Sequence, residues 1–148
     1  LKAGMEAAGV TVLEDVRTEI SMEGETITLI GVNDPSYQTD YLFGDSETVM
    51  NTKLEELHTE NAGFTILLSH RPELFDTYVE YGVHLVLSGH AHGGQIEIAG
   101  RGVIAPGQGL FPKYTAGVHD DRLVVSTGLK TSRLPRFFNE PEIVFIEV

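Results

Sequence analysis

Apolar residues recur along this chain with two distinct periods, and those periods divide it into elements. Residues 26–32 alternate apolar and polar, which predicts a strand with one buried face. Residues 64–68 and 85–87 are short continuous apolar runs, as expected of strands covered on both faces. Between them, Leu74, Phe75, Tyr78 and Val79 share one helical stripe, which predicts a helix over 72–81 opened by Pro72 and closed by Gly82. Met50, Leu54 and Leu57 form a second stripe and predict a helix from a Ser46 cap to about Glu60. Residues 10–13 read as one more strand, reaching 26–32 through the polar turn Met22-Glu23-Gly24-Glu25. Leu1, Met5 and Ala8 fall at helical spacing with no capping residue ahead of them, as if the chain opened inside a helix of a longer protein.

The texture changes after residue 95. Residues 95–98 alternate like a half-exposed strand, and 100–117 are rich in Gly and Pro, which predicts a long loop. Residues 123–126 and 143–148 read as strands separated by an irregular 128–141. The order, two strands, then helix, strand, helix, strand and further strands, predicts an α/β fold with a mixed β-sheet in a single domain over 1–148. Strands 64–68 and 85–87 should lie adjacent and parallel, joined by a right-handed crossover through the helix at 72–81.

Composition narrows the function classes. The net charge is −12, and a surface of that sign repels duplex nucleic acid unless basic residues cluster; the sequence displays no basic run. There is no stretch of about 18 apolar residues, hence no membrane span in this chain. With no cysteine, disulfides and thiolate metal sites are excluded. Location stays open between the cytoplasm and membrane association through a segment ahead of Leu1.

Candidate chemistry sits at the ends of the buried runs. Residues 85–87 lead into Ser88-Gly89-His90-Ala91-His92-Gly93-Gly94-Gln95, and residues 64–68 lead into Ser69-His70-Arg71-Pro72-Glu73. Neutral imidazole is the commonest protein metal ligand, and the carboxyl ends of parallel strands are where α/β folds build sites. His70, His90 and His92 are therefore the candidate metal ligands, expected within roughly 4–8 Å of one another around metal–nitrogen bonds of about 2.0–2.1 Å. Gly93 and Gly94 offer backbone N–H groups to an anion or merely permit the turn. Arg71, Arg133 and Arg136 suit bidentate phosphate binding, against an ordinary ion-pair role. His84 reads as structural, His58 and His119 as solvated, and Asn33 and Asp34 as turn formers rather than ligands.

The two histidine motifs resemble those of the calcineurin-like metallophosphoesterases. Ser69-His70-Arg71-Pro72-Glu73 is similar to the fourth motif of that family and Gly89-His90-Ala91-His92 to the fifth. Gly93-Gly94-Gln95, and the tail from Val125-Ser126-Thr127-Gly128-Leu129 to Pro141-Glu142-Ile143, resemble its bacterial membrane-associated phosphohydrolase branch. The resemblance implies the C-terminal half of a four-layer α/β/β/α sandwich and a hydrolase of phosphate esters. It implies two divalent ions (Mn, Fe, Zn or Co) sharing a bridging hydroxide that attacks phosphorus in line. His70 and His90 would hold one ion and His92 the other.

The family's Asp-x-His, Gly-Asp-x-x-Asp and Gly-Asn-His-Asp/Glu motifs are not found in the chain; Gly44-Asp45-Ser46-Glu47-Thr48 and Gly31-Val32-Asn33-Asp34 fall short of the last two. The chain is thus expected to be a domain truncated at its N-terminus, incomplete as a catalyst alone, with at most partial metal binding. An uncovered sheet face should favour self-association in place of the missing N-terminal half. The alternative function is a non-catalytic metal-binding or interaction domain derived from the same fold.

Overall fold

In the computed structural model, residues 2–38, 45–60, 62–99, 101–105, 108–129 and 140–147 are described. A six-stranded mixed sheet organises them. Its strands are β1 (Val16–Met22), β2 (Glu25–Gly31), β3 (Phe64–Leu68), β4 (Leu85–Ser88), β9 (Gly117–His119) and β10 (Leu123–Val125), in the spatial order β1-β2-β3-β4-β10-β9. The four inner strands β2, β3, β4 and β10 are mutually parallel, and β1 and β9 close the two edges antiparallel. The expected pairing of β3 with β4 is present, with Ile66 opposite Leu85 and Leu68 opposite Leu87.

The first strand differs from expectation. Residues 10–13 carry no strand, and β1 instead occupies Val16–Met22. Val16, Thr18, Ile20 and Met22 alternate there with Arg17, Glu19 and Ser21, a two-residue period weakened by charged edge positions. Glu23 and Gly24 both adopt positive φ (52° and 93°), the geometry of a two-residue hairpin turn whose twist matches its strands.

The connections fit the helical periods. Helix α1 (Lys2–Ala7) buries none of its residues. Helix α2 (Ser46–Leu57) is capped by Asp45, whose carboxylate accepts the Thr48 amide at 2.9 Å; Ser46 is therefore the first helical residue and not the cap. The segment expected as one helix over 72–81 is a 3-10 turn at Pro72–Leu74 followed by α3 (Phe75–Glu80). The long loop expected over 100–117 contains very short strands. Within it β6 (Arg101–Gly102) pairs back onto β5 (Glu97–Ile98), which precedes the loop, and β7 (Ile104–Ala105) pairs with β8 (Gly109–Leu110). A strand is expected over 143–148; residues 143–147 belong to no strand, and 148 lies outside the described residues.

Sheet register sorts the side chains. Arg17, Ile30, Leu67, Val86 and Leu123 lie in one row across the sheet. From Ile30 inward this face is covered by Met50 and Leu54 of α2 and Phe75 and Tyr78 of α3, and together these form the core. Burying each such side chain contributes about 1.5–3 kcal/mol. The opposite face carries Val16, Leu68, Leu87, Val124 and Val118 in the next row. It is open at its edges: Val16 is 42% exposed, Phe64 41% and Val118 64%. No helix among the described residues is long and apolar enough to cross a membrane.

Candidate metal centre

Three adjacent parallel strands end at the same edge of the sheet, and each delivers one candidate ligand just beyond its last residue. Asp34 follows β2, His70 follows β3 and His90 follows β4. The ladder continues past the strand ends through Val32 N–H to Leu68 C=O (3.1 Å) and Ser69 N–H to Leu87 C=O (3.2 Å). That continuation brings the three turns together. One donor atom each of Asp34, His70 and His90 lies within 4.8 Å of the others, and the two imidazole rings are 4.7 Å apart between centroids. His92, the third histidine expected from sequence, lies outside this group, and Asp34, expected as a turn former, lies inside it. Asp34 is a turn former as well: it caps the 3-10 turn at Pro35–Tyr37 by accepting the Ser36 amide at 2.9 Å.

Polar contacts fix the Asp34 and His70 turns. The Lys53 ammonium, on α2, donates to both Asp15 oxygens (2.8 and 3.0 Å) and to the Asn33 carbonyl (3.1 Å). Asp15 also accepts the Asn33 amide at 2.9 Å. This set anchors the loop that presents Asp34. Behind His70, the Tyr78 hydroxyl donates to the Arg71 carbonyl at 2.7 Å and sits 2.8 Å from Ser69 Oγ. The His90 turn carries backbone strain: His90 and His92 have φ of 67° and 49°, followed by positive φ at Gly93, Gly94 and Gln95. Such conformations cost of order 1–3 kcal/mol at a non-glycine residue and persist where packing imposes them, often at functional sites.

Arg71 does not face solvent. It is 4% exposed, and its guanidinium grips Asp34 through Nε (3.1 and 3.0 Å) and Nη2 (2.9 Å) while Nη1 meets Glu73 at 3.3 Å. Burial works to raise the Asp34 carboxyl, but the Arg71 and Ser36 bonds prevail and hold it well below the usual carboxylate range. Glu73 moves the other way, raised by burial. Burial lowers His70, with Asp34 opposing and Arg71 assisting, and burial together with the His70 and Arg71 charges brings His90 down to about 4. Both imidazoles are therefore neutral near pH 7, the form that ligates metal.

The remaining sequence candidates have structural surroundings. The Gly94 N–H donates to the Ala91 carbonyl at 2.7 Å, and a Cβ on Gly94 would come within 2.3 Å of the Gly102 Cα. That close approach supplies the reason for a glycine there. His84 Nδ1 accepts the Thr65 amide at 3.1 Å. His58 is exposed at the end of α2. His119, expected as solvated, is half-buried at the end of β9, with its ring 5.1 Å from that of Tyr114. Arg133 and Arg136 lie outside the described residues. Sequence reasoning did not single out Asp15 or Lys53, and it read Tyr78 only as an apolar-stripe residue, not as an anchor of the His70 turn. A lysine and a tyrosine on the apolar stripes of α2 and α3 were the available signals.

Two curated bacterial proteins are similar to this chain. The uncharacterized metallophosphoesterase YkuE of Bacillus subtilis (strain 168) is 42% identical over 85 residues, which is 54% of this chain and 29% of that protein. The uncharacterized protein YpbG of the same organism is 30% identical over 142 residues, 92% of this chain and 47% of that protein. The chain thus spans less than half the length of either relative. No family model and no solved structure matches it. This chain combines a mixed α/β fold, a His/Asp group of a kind that could hold a metal ion, and partial similarity to a metallophosphoesterase, which together suggest a metal-dependent hydrolase.

Proposed function

We propose that this chain is the C-terminal part of a metal-dependent phosphoester hydrolase of the calcineurin-like metallophosphoesterase family. The observation that carries this reading is the convergence of Asp34, His70 and His90 at the ends of three adjacent parallel strands. The similarity to a metallophosphoesterase supports it. The half-open apolar sheet face supports a layered arrangement in which a second sheet, from an N-terminal half, packs against this one to make an α/β/β/α sandwich.

Two neutral imidazoles and one carboxylate suit a divalent transition ion such as Mn, Fe, Zn or Co. A bound ion supplies a charge that neutralises a phosphoryl oxygen and a water acidified toward neutral pH. The chain's own residues set the rest. His70 and His90 offer nitrogens that burial keeps unprotonated, and Arg71 keeps Asp34 ionised while leaving it lone pairs for the ion. Tyr78, Ser69, Asp15 and Lys53 hold the turns in register. In this reading His92 serves a second ion, as the family resemblance implies, with the other ligands of that ion coming from an N-terminal half. In this reading Arg71 acts on phosphate only through Asp34, and Gly93 and Gly94 serve the turn.

Calorimetric titration with Zn²⁺ and Mn²⁺ tests the centre. One ion should bind per chain, with binding lost in His70→Ala and His90→Ala and weakened in Asp34→Asn. Absence of any binding removes the metal reading. Tight binding of two ions means that the site is complete within these residues. Hydrolysis of a p-nitrophenyl phosphodiester should be undetectable with residues 1–148 alone. In a longer protein carrying them it should be metal-dependent and abolished by His90→Ala or His92→Ala. Retention of that turnover in both variants leaves a non-catalytic metal-binding domain as the better account.

A further inference from the structure

A second cleft, of about 440 Å³, is lined by none of Asp34, His70 and His90. Arg101 enters it from β6, Phe111 and Lys113 from the segment after β8, and Thr115 and His119 from the approach to β9 and its end. Its volume falls in the range of small-molecule sites, about 300–1,000 Å³.

Charge makes it unusual. The chain carries a net −12, and three of its cations are neutralised locally: Lys2 pairs with Glu14, Lys53 with Asp15, and Arg71 with Asp34 and Glu73, while Arg17 and Arg122 donate to backbone carbonyls. Among the described residues no carboxylate lies within ion-pair distance of Arg101 or Lys113. Two cations lining one cleft with no carboxylate in ion-pair contact are an arrangement that an anionic ligand neutralises. Asp76 and Asp120 act on Lys113 electrostatically, so Arg101 is the stronger anchor.

Phe111 adds a second demand. It is 75% exposed and held at φ 53°. A bulky aromatic residue in the left-handed region is a backbone outlier, and here the outlier presents a bare ring at the cleft. The other walls are fixed. The Lys113 ammonium sits 4.6 Å from the Tyr114 ring centroid, and the His119 ring is tethered through Nε2 to the Ala116 carbonyl at 3.0 Å. Gly102 also lines the cleft, and its backbone packs against Gly94 of the histidine turn.

We propose that this cleft binds a small organic phosphate, the anion taken by Arg101 and Lys113 and a planar ring carried on it stacked against Phe111. The guanidinium fork matches phosphate oxygens bidentately, and a ring on an aromatic face adds selectivity over a bare anion.

The test uses the whole chain in chelator, so that no ion at the histidines contributes. Phenyl phosphate and inorganic phosphate are titrated in turn and followed by amide NMR shifts and calorimetry. Phenyl phosphate should shift the amides of Arg101, Gly102, Phe111, Lys113 and Thr115, and should bind roughly tenfold more tightly than inorganic phosphate. Arg101→Ala should weaken both ligands by roughly tenfold or more. Phe111→Ala should bring phenyl phosphate to the affinity of inorganic phosphate. Arg101→Lys and Phe111→Leu, milder changes, should fall between wild type and the alanine variants, and thermal melts verify folding. Shifts elsewhere on the chain, no binding at millimolar ligand, or equal affinity for the two phosphates overturns the proposal. Zinc titration of Arg101→Ala should match wild type, so the cleft and the metal centre succeed or fail separately.

Discussion

His90 is folded at a cost that depends on pH. Its folded-state pKa of about 4 lies below the ordinary value of 6.5, so between those values the unfolded chain binds more protons than the folded one. The corresponding stability is fully present above about pH 6.5 and is lost as pH falls toward 4. At about 1.4 kcal/mol per pH unit the loss reaches at most about 3 kcal/mol. His70, also lowered, adds in the same direction. Glu73, raised by burial, contributes oppositely, gaining stability as pH falls through its folded value. Asp34 keeps its contribution down to more acidic pH, because its carboxyl is held so low. Urea melts of the metal-free chain from pH 7.5 to 4 should therefore decline in midpoint, and His90→Gln should flatten the decline. An unchanged slope in that variant assigns the effect to other groups. The histidines themselves were legible in the sequence because glycines and apolar runs flank them. The role of Asp34 was not, because it depends on which turn lies beside which once β2, β3 and β4 are paired.

Among the elements, the pair formed by the histidine turn and β6 is the most constrained. A Cβ on Gly102 would meet the Thr115 Cγ2 at 2.7 Å, the Gly94 Cα at 2.8 Å and the Gly93 carbonyl oxygen at 3.0 Å. Two of these atoms are backbone and cannot swing aside. Gly102→Ala should destabilise the chain by about 1–3 kcal/mol, the usual cost of overpacking. It should also shift amide resonances from Ala91 to Gln95, readable by chemical denaturation and NMR. A Gly102→Ala chain as stable as wild type, with the turn unmoved, contradicts the packing. Strands β2, β3 and β4 and both core helices were legible from period alone, since each has an apolar face to bury. Strand β1 was obscured because its polar alternates include Arg17 and Glu19, which read as loop chemistry. The short strands between residues 97 and 110 carry too few residues to show any period, and only tertiary contacts create them.

On the scale of the whole molecule, one sheet face has helices and the other has none among the described residues. Val16, Ile20, Phe64, Leu68 and Val118 are each at least 36% exposed on that second face, and Val144 and Ile146 of the 140–147 segment share a cavity with Phe64, Leu85 and Val124. Contiguous apolar surface of this kind drives association. The 148-residue chain should therefore self-associate with concentration in sedimentation velocity runs. Phe64→Lys and Val16→Lys should shift it toward monomer without lowering its thermal midpoint. A monomer at every concentration counts against an unpaired face. The α/β class was legible because strand and helix periods alternate along the first half of the chain. The cationic cleft was not, because Arg101 and Lys113 stand apart in a Gly- and Pro-rich segment and form no run.

Each of the three candidate ligands hangs from a different strand, and this orders events in time. Asp34, His70 and His90 have no common neighbourhood until β2, β3 and β4 have found one another, so an ion cannot template the sheet. An ion held by these residues would arrive last, as a latch on a structure already built. Interactions absent from the folding transition state slow unfolding and leave folding alone. In stopped-flow experiments, saturating Zn²⁺ should leave the refolding rate of the chain unchanged and lengthen its folded lifetime, by about a hundredfold at an ion concentration a hundred times the Kd.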